Sequence, residues 1–179
     1  MPKRLAAARA PGHAAPMQVR QVSIFLADAA ATSAVARHIA PSLGVGDTVL
    51  LQGPIGAGKT HFARSVIQHL LAKDGVAEDV PSPTFTLVQT YQAGPLPIWH
   101  ADLYRLAHPQ DVLDLGLDEA VTTALCLIEW PDRMGKLLPN DALHLEFAPT
   151  PDDQRVLVAS AAAARWQSVL AELEAWHRG

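Results

Sequence analysis

The sequence predicts an α/β fold, a three-layer sandwich in which central parallel strands are flanked by antiparallel ones. Three observations lead there. Residues 48–52 form a short apolar, β-branched run that passes directly into a glycine-rich loop and then into a helical pattern. A second apolar run, Leu125-Cys126-Leu127-Ile128, reads as another strand buried on both faces, the pattern of parallel pairing. Residues 143–147 and 155–159 read instead as half-exposed strands, which suit the flanks of such a sheet.

The remaining elements follow in order. Val22, Ile24 and Leu26 alternate with small or polar neighbours as a strand does, and Asp28 is placed to cap a helix carrying Thr32, Val35 and Ile39 until Pro41. After Lys59, the residues Phe62, Val66, Ile67, Leu70 and Leu71 share one helical face. Pro81-Ser82-Pro83 makes a stiff turn, beyond which Phe85, Leu87 and Tyr91 tend to one face of a strand over residues 84–92. A turn at Ala93-Gly94-Pro95 leads into residues 96–101 and suggests a hairpin. Pro109 opens a short helix with Val112, Leu113 and Leu115, and Gly116 reads as its stop. The chain ends in an alanine-rich helix whose stripe of Trp166, Val169, Leu170, Leu173 and Trp176 reads as a core-packing face.

A chain of 179 residues suits one domain, which would bury roughly 70% of its unfolded surface. Residues 1–18 are rich in Ala, Pro and Arg without hydrophobic periodicity and read as a disordered N-terminal extension, with Met17 as an alternative start. Residues 19–179 then form a single domain. Residues 1–20 hold four basic and no acidic side chains, whereas the rest holds 10 basic against 18 acidic, a formal −8. Such an acidic body is a poor stand-alone ligand for nucleic acid. The single cysteine, Cys126, excludes an internal disulfide and fits a reducing cytoplasm as a buried, inert thiol. No run approaches 18 consecutive apolar residues, so no membrane span is expected.

Gly53-Pro54-Ile55-Gly56-Ala57-Gly58-Lys59-Thr60 matches G-x-x-x-x-G-K-[ST] at every fixed position, which makes the expected fold P-loop NTPase-like. The glycines let consecutive N–H groups turn onto phosphate oxygens, and the helix that starts near Lys59 adds the positive end of its dipole. Lys59 supplies charge to the β- and γ-phosphates of a nucleotide, and Thr60 a hydroxyl for the magnesium ion bridging them. Gly53, Gly56, Ala57, Gly58, Lys59, Thr60 and His61 thus make the expected ATP-binding loop. Such a loop needs a carboxylate at the end of a neighbouring strand. Asp102 is the best placed, although it also reads as a turn aspartate. Glu129 closes the second apolar run and reads either as an acid for metal or water, or as an ordinary strand end. Thr84 reads as a γ-phosphate or metal sensor, or as a strand-opening threonine. His100 stands two residues before Asp102 and so shares its strand face. The other histidines show no zinc-like spacing with the cysteine.

Four segments carry a resemblance: the loop, Ser82-Pro83-Thr84-Phe85-Thr86-Leu87-Val88, His100-Ala101-Asp102-Leu103-Tyr104-Arg105-Leu106, and Leu127-Ile128-Glu129-Trp130-Pro131. In order and spacing, over roughly residues 22–158, the chain resembles the TsaE (YjeE) family of ATPases in bacterial tRNA threonylcarbamoyladenosine biosynthesis. The resemblance implies that Thr60 and Glu129 approach magnesium with Asp102 as the Walker B-like acid, so that Lys59, Asp102 and Glu129 carry catalysis. It places Trp130 at the nucleotide site or a partner face, and residues 29–32 near adenine. It also implies TsaD and TsaB as protein partners, with tRNA reached only through them. Two departures stand out: Pro54 occupies a position usually acidic, and His61 one commonly Thr. Trp130-Pro131-Asp132 replaces the usual Trp-Pro-Glu.

Two other functions use the same loop. A small-molecule kinase generally closes several arginines over the phosphates, whereas Arg64, Arg105, Arg133, Arg155, Arg165 and Arg178 form no lid-like cluster in sequence. A nucleotide-sensing module with negligible turnover would use ATP only to order the Thr84 segment. GTP is disfavoured: Asp132-Arg133-Met134-Gly135 spells D-x-x-G, but the guanine-selecting N-K-x-D is absent and Asn140 is the only asparagine.

Overall fold

The structure, a computed structural model, describes residues 19–152 and 154–178. The expectation of a disordered extension over residues 1–18 lies outside the described residues. Seven strands form one sheet in the order β1-β7-β6-β2-β5-β4-β3. They are β1 (Arg20–Leu26), β2 (Thr48–Gln52), β3 (Val88–Ala93), β4 (Leu96–Asp102), β5 (Leu125–Glu129), β6 (Leu143–Pro149) and β7 (Arg155–Ala161). The middle strands β6, β2, β5 and β4 pair in parallel, while β7, β1 and β3 add antiparallel edges.

Strand alternation sorts the core into two layers. Val49 and Leu51 of β2, with Leu125 and Leu127 of β5, pack on one face with α1 (Ala29–Ile39), α2 (Lys59–Lys73) and α5 (Gln167–Arg178). Leu50, Cys126 and Ile128 face the other side, with Val112 of α3 (Pro109–Asp114) and Leu117 and Ala120 of α4 (Leu117–Thr123). Strands sandwiched this way have no solvent face, which is why β2 and β5 are apolar nearly throughout. Asp28 does cap α1, accepting from the Ala31 N–H at 2.7 Å.

Two local expectations are corrected, for the strand at residues 84–92 and for Trp166 in the last helix, and one, for Gly116, is extended. The strand expected over residues 84–92 begins only at Val88. Residues 83–86 instead form a turn closed by the Leu87 N–H to the Pro83 carbonyl at 2.7 Å, and Leu87 takes a left-handed φ of 67°. Phe85 is therefore 87% exposed rather than aligned with buried Tyr91. Gly116 ends α3 but also starts α4, because its φ of 76° redirects the chain at the one point where no side chain resists it. Trp166 precedes α5 in a short 3₁₀ turn, buried with Val169, Leu170 and Leu173, while Trp176 lies 41% exposed against His38.

Cys126 is fully buried, and burial alone pushes its thiol up to about 12 from an ordinary 9.0. The thiolate, the reactive form, is thus suppressed through neutral and mildly alkaline pH. A thiol reagent at pH 8 should leave the native chain unmodified and label it fully in denaturant. Rapid labelling of the native chain would show that β5 opens readily.

Candidate functional site

The loop between β2 and α2 stands at the carboxyl edge of the parallel strands, with a cavity beside it lined by Ile55, Gly56, Lys59, Thr60, Thr84, Asp102, Tyr104, Glu129 and Trp130. A tight approach to β6 sets the loop's entry. Gly53 has a φ of 139°, and a Cβ there would lie 2.4 Å from the Phe147 carbonyl oxygen. Gly58 caps α2, whose first turn carries no acidic side chain to compete for an anion. Arg155 of β7 reaches over the loop, its Nε donating to the Ala57 carbonyl at 3.2 Å.

Lys59 is 4% exposed, and its Nζ donates to the carbonyls of Gly53 and Pro54, each at 2.8 Å. An ammonium has three hydrogens, so one remains for another acceptor. Burial holds this ammonium below the ordinary lysine value, while the carboxylates of Glu129 and Asp102 act to raise it. The Trp130 ring lies 4.2 Å from Nζ and tilts against Tyr104. Trp130 reaches this place through a left-handed backbone, φ 58°, a costly conformation for a bulky residue.

Both acids end neighbouring strands. Asp102 of β4 pairs with Glu129 of β5 in the parallel register, and they are 5% and 2% exposed. Thr60 Oγ1 donates to Glu129 Oε2 at 2.9 Å, and Thr84 Oγ1 to Asp102 Oδ2 at 2.9 Å. The Tyr104 N–H donates to Asp102 Oδ1 at 3.0 Å, and the Leu87 carbonyl accepts from the Asp102 N–H at 2.8 Å. The turn preceding β3 is thereby tied to Asp102 twice.

Among the described residues, no group of three or more His, Cys, Asp and Glu forms a self-sufficient metal cage. Thr60, Asp102 and Glu129 fit a different case. They offer only oxygen, and two carboxylates beside an anion-binding loop would repel a phosphate unless a cation stood between. Magnesium is commonly held by one or two carboxylates, with substrate phosphates and water completing the shell. The donor set fits that ion.

A family model described as threonylcarbamoyl adenosine biosynthesis protein TsaE matches residues 26–157. The chain belongs to the TsaE family. A similar protein from Rickettsia bellii, named tRNA threonylcarbamoyladenosine biosynthesis protein TsaE, is 36% identical over 140 residues, covering 78% of this chain and 95% of its own. One of the same name from Bacillus subtilis is 35% identical over 143 residues, covering 79% and 87%. The crystal structure of Bacillus subtilis YdiB superposes with a TM-score of 0.72 at 29% identity, covering 90% of this chain and 99% of that one.

Within this TsaE-family frame, seven residues named from sequence, Gly56, Lys59, Thr60, Thr84, Asp102, Glu129 and Trp130, line one cavity. His61 faces the other side of the loop, in a hollow with Gly56, Gly58 and Arg64. Its Nε2 lies 2.7 Å from Ser33 Oγ and 3.0 Å from the Ala29 carbonyl, which can only accept, so Nε2 carries the hydrogen. His61 thus joins the start of α1 to the start of α2. Ala57 is itself buried and contributes only backbone. Reading the sequence missed Ile55 and Tyr104 as lining residues and Arg155 as the clasp on the loop. Tyr104 stood two positions after Asp102 and could have been found there; Arg155 gave no local signal.

Gly53→Ala should destabilise the chain by about 2 kcal/mol or more, since the new methyl meets a backbone oxygen that cannot swing away. Urea denaturation midpoints would measure it, and an unchanged midpoint would show that the loop is not pinned against β6.

Proposed function

We propose that the chain is a magnesium-dependent ATPase, an accessory in the cytoplasm to the threonylcarbamoyladenosine modification of tRNA. What supports it is one juxtaposition: the Thr60–Glu129 hydrogen bond joins the P-loop to a strand-end acid, beside Lys59 and Asp102. The fold implies nucleotide binding, and the family implies the pathway.

Backbone N–H groups of residues 56–60 would hold the phosphates, with the free hydrogen of Lys59 directed to the terminal ones. Magnesium, held by the Thr60 hydroxyl with Glu129 and Asp102, would supply neutralising charge to the phosphate oxygens when bound. Glu129 would accept a hydrogen bond from the attacking water and orient it toward the γ-phosphorus. As the new P–O bond forms, the bond to the bridging oxygen breaks and ADP leaves, while the water's proton passes to an oxygen of the released phosphate. Thr84, bonded to Asp102, would report the state of the site to the turn over residues 83–86, whose Phe85 carbonyl accepts from Arg105 at 2.5 Å. Lys59 and Trp130 stack in a partly dry site, which strengthens the interaction of the ammonium with phosphate.

The partners in this reading are TsaD and TsaB. An acidic body agrees with the tRNA being held by them and not by this chain. No helix among the described residues is long and apolar enough to cross a membrane. ATP, not GTP, is the expected nucleotide, because no N-K-x-D occurs.

Lys59→Ala should lose about 2–5 kcal/mol of ATP affinity, roughly 30-fold or more, by calorimetric titration. Near-wild-type binding would contradict the role of Lys59. Glu129→Ala should lower turnover by about 100-fold or more while changing ATP affinity much less. Phosphate release should rise when TsaD and TsaB are added. Absence of turnover in both conditions would overturn the ATPase reading in favour of a nucleotide-sensing module.

A further inference from the structure

His100 is a wholly buried polar side chain to which the chemistry above gives no task. It lies in β4, paired with Leu127 of β5 and Gln89 of β3. Strand alternation puts it on the same face as Ile98 and Asp102, under α2. Ile98 on that face packs into the apolar core, so a leucine at position 100 would meet the demands of packing alone.

The ring makes one polar contact. Its Nε2 lies 2.9 Å from Glu129 Oε1, whereas its Nδ1 is buried with no hydrogen-bond partner among the described residues. A carboxylate can only accept, so the hydrogen of this bond resides on Nε2. Glu129 is thus held at both oxygens: Oε1 by His100 from beneath and Oε2 by Thr60 from the loop. The Thr60 bond is the one that a phosphate-bound cation would compete for, since the same hydroxyl and carboxylate oxygens are its donors. The His100 bond lies below the cavity and faces no such competition, since His100 does not line the cavity.

We propose that His100 is the positioning residue of this site: its Nε2–H anchors Oε1, fixing the carboxylate plane so that Oε2 points at Thr60 and the cavity. With three side-chain torsions, Glu129 at a strand end has, among the described residues, no other hydrogen-bond donor to keep its plane when Thr60 turns to another partner. A partner that orients a ligating carboxylate typically changes metal affinity or activity by about 10–100-fold when removed.

The inference rests on the magnesium-ATPase reading for its functional consequence, but its geometry can be tested apart from it. In the nucleotide-free, metal-free chain, ¹⁵N spectra of the histidine rings should show His100 protonated at Nε2, with that resonance moving in Glu129→Ala while those of the other histidines stay put. An unmoved resonance would overturn the proposal whatever the chain does with ATP. Two amide variants then test the role. In His100→Gln the amide nitrogen reaches the place of Nε2; in His100→Asn it falls short, near the place of Nδ1. His100→Asn should raise the magnesium concentration for half-maximal ATP binding by about 10-fold or more, and leave ATP affinity in EDTA within about 2-fold of wild type. His100→Gln should stay within about 3-fold of wild type on both measures. Equal behaviour of the two variants, or an equal loss in EDTA, would mean that His100 only fills space. If the wild-type chain releases no phosphate even with its partners, the ATPase reading falls while these binding and spectroscopic outcomes still judge His100.

Discussion

Lys59, Asp102 and Glu129 are each at most 5% exposed, and a charge removed from water that far is tolerated only if paired and hydrogen-bonded. That constraint organises the structure around the loop. Lys59 is surrounded by two carbonyls, a tryptophan face and two carboxylates. Each carboxylate in turn has two donors: Thr84 Oγ1 and the Tyr104 N–H for Asp102, Thr60 Oγ1 and His100 Nε2 for Glu129. Charged groups so nearly saturated by protein partners are preorganised, and a phosphate with its cation would exchange partners among them without having to create them.

The sheet makes this possible. Parallel pairing of β4 and β5 sets Asp102 directly beside Glu129, and the next strand over, β2, feeds the loop that carries Lys59 and Thr60. Because all three strands run the same way, their carboxyl ends converge on one edge, where ligands bind in open α/β sheets. The strands on the other side of β2 serve a different purpose. β7 brings Arg155 onto the loop from the far side, and β6 presents the Phe147 carbonyl that permits only glycine at position 53. With the Thr60 bond to Glu129 of β5, the loop is therefore held from three strands.

Departures from regular backbone concentrate where the cavity needs them. The only non-glycine residues with left-handed φ among the described residues are Leu87 and Trp130. Trp130 turns the chain at the end of β5 so that its ring covers Lys59; Leu87 turns it so that its carbonyl meets the Asp102 N–H and Thr84 meets the carboxylate. The local pattern of Phe85, Leu87 and Tyr91 favours a longer strand, and the tertiary bonds to Asp102 override it. That a strand preference loses here and not elsewhere marks the segment as serving the site more than the core.

What the sequence determined by itself is whatever adjacent residues can specify. The loop is contiguous, so its glycines, Lys59 and Thr60 announce phosphate chemistry without any fold, and the two apolar runs before Gln52 and Glu129 declare strands buried on both faces. The cap at Asp28 was legible for the same reason. Only the tertiary structure decided which acids stand beside the loop. Residue type alone favours Asp102 while leaving it open as a turn aspartate, and leaves Glu129 open as an ordinary strand end; the register of β4 against β5 sets them together, and Thr60, 69 residues away, bonds Glu129. The same register put His100 beneath Glu129. Strand order and register fix contacts between residues remote in sequence, and a one-residue slip would turn each of these side chains to the opposite face, which no local pattern records.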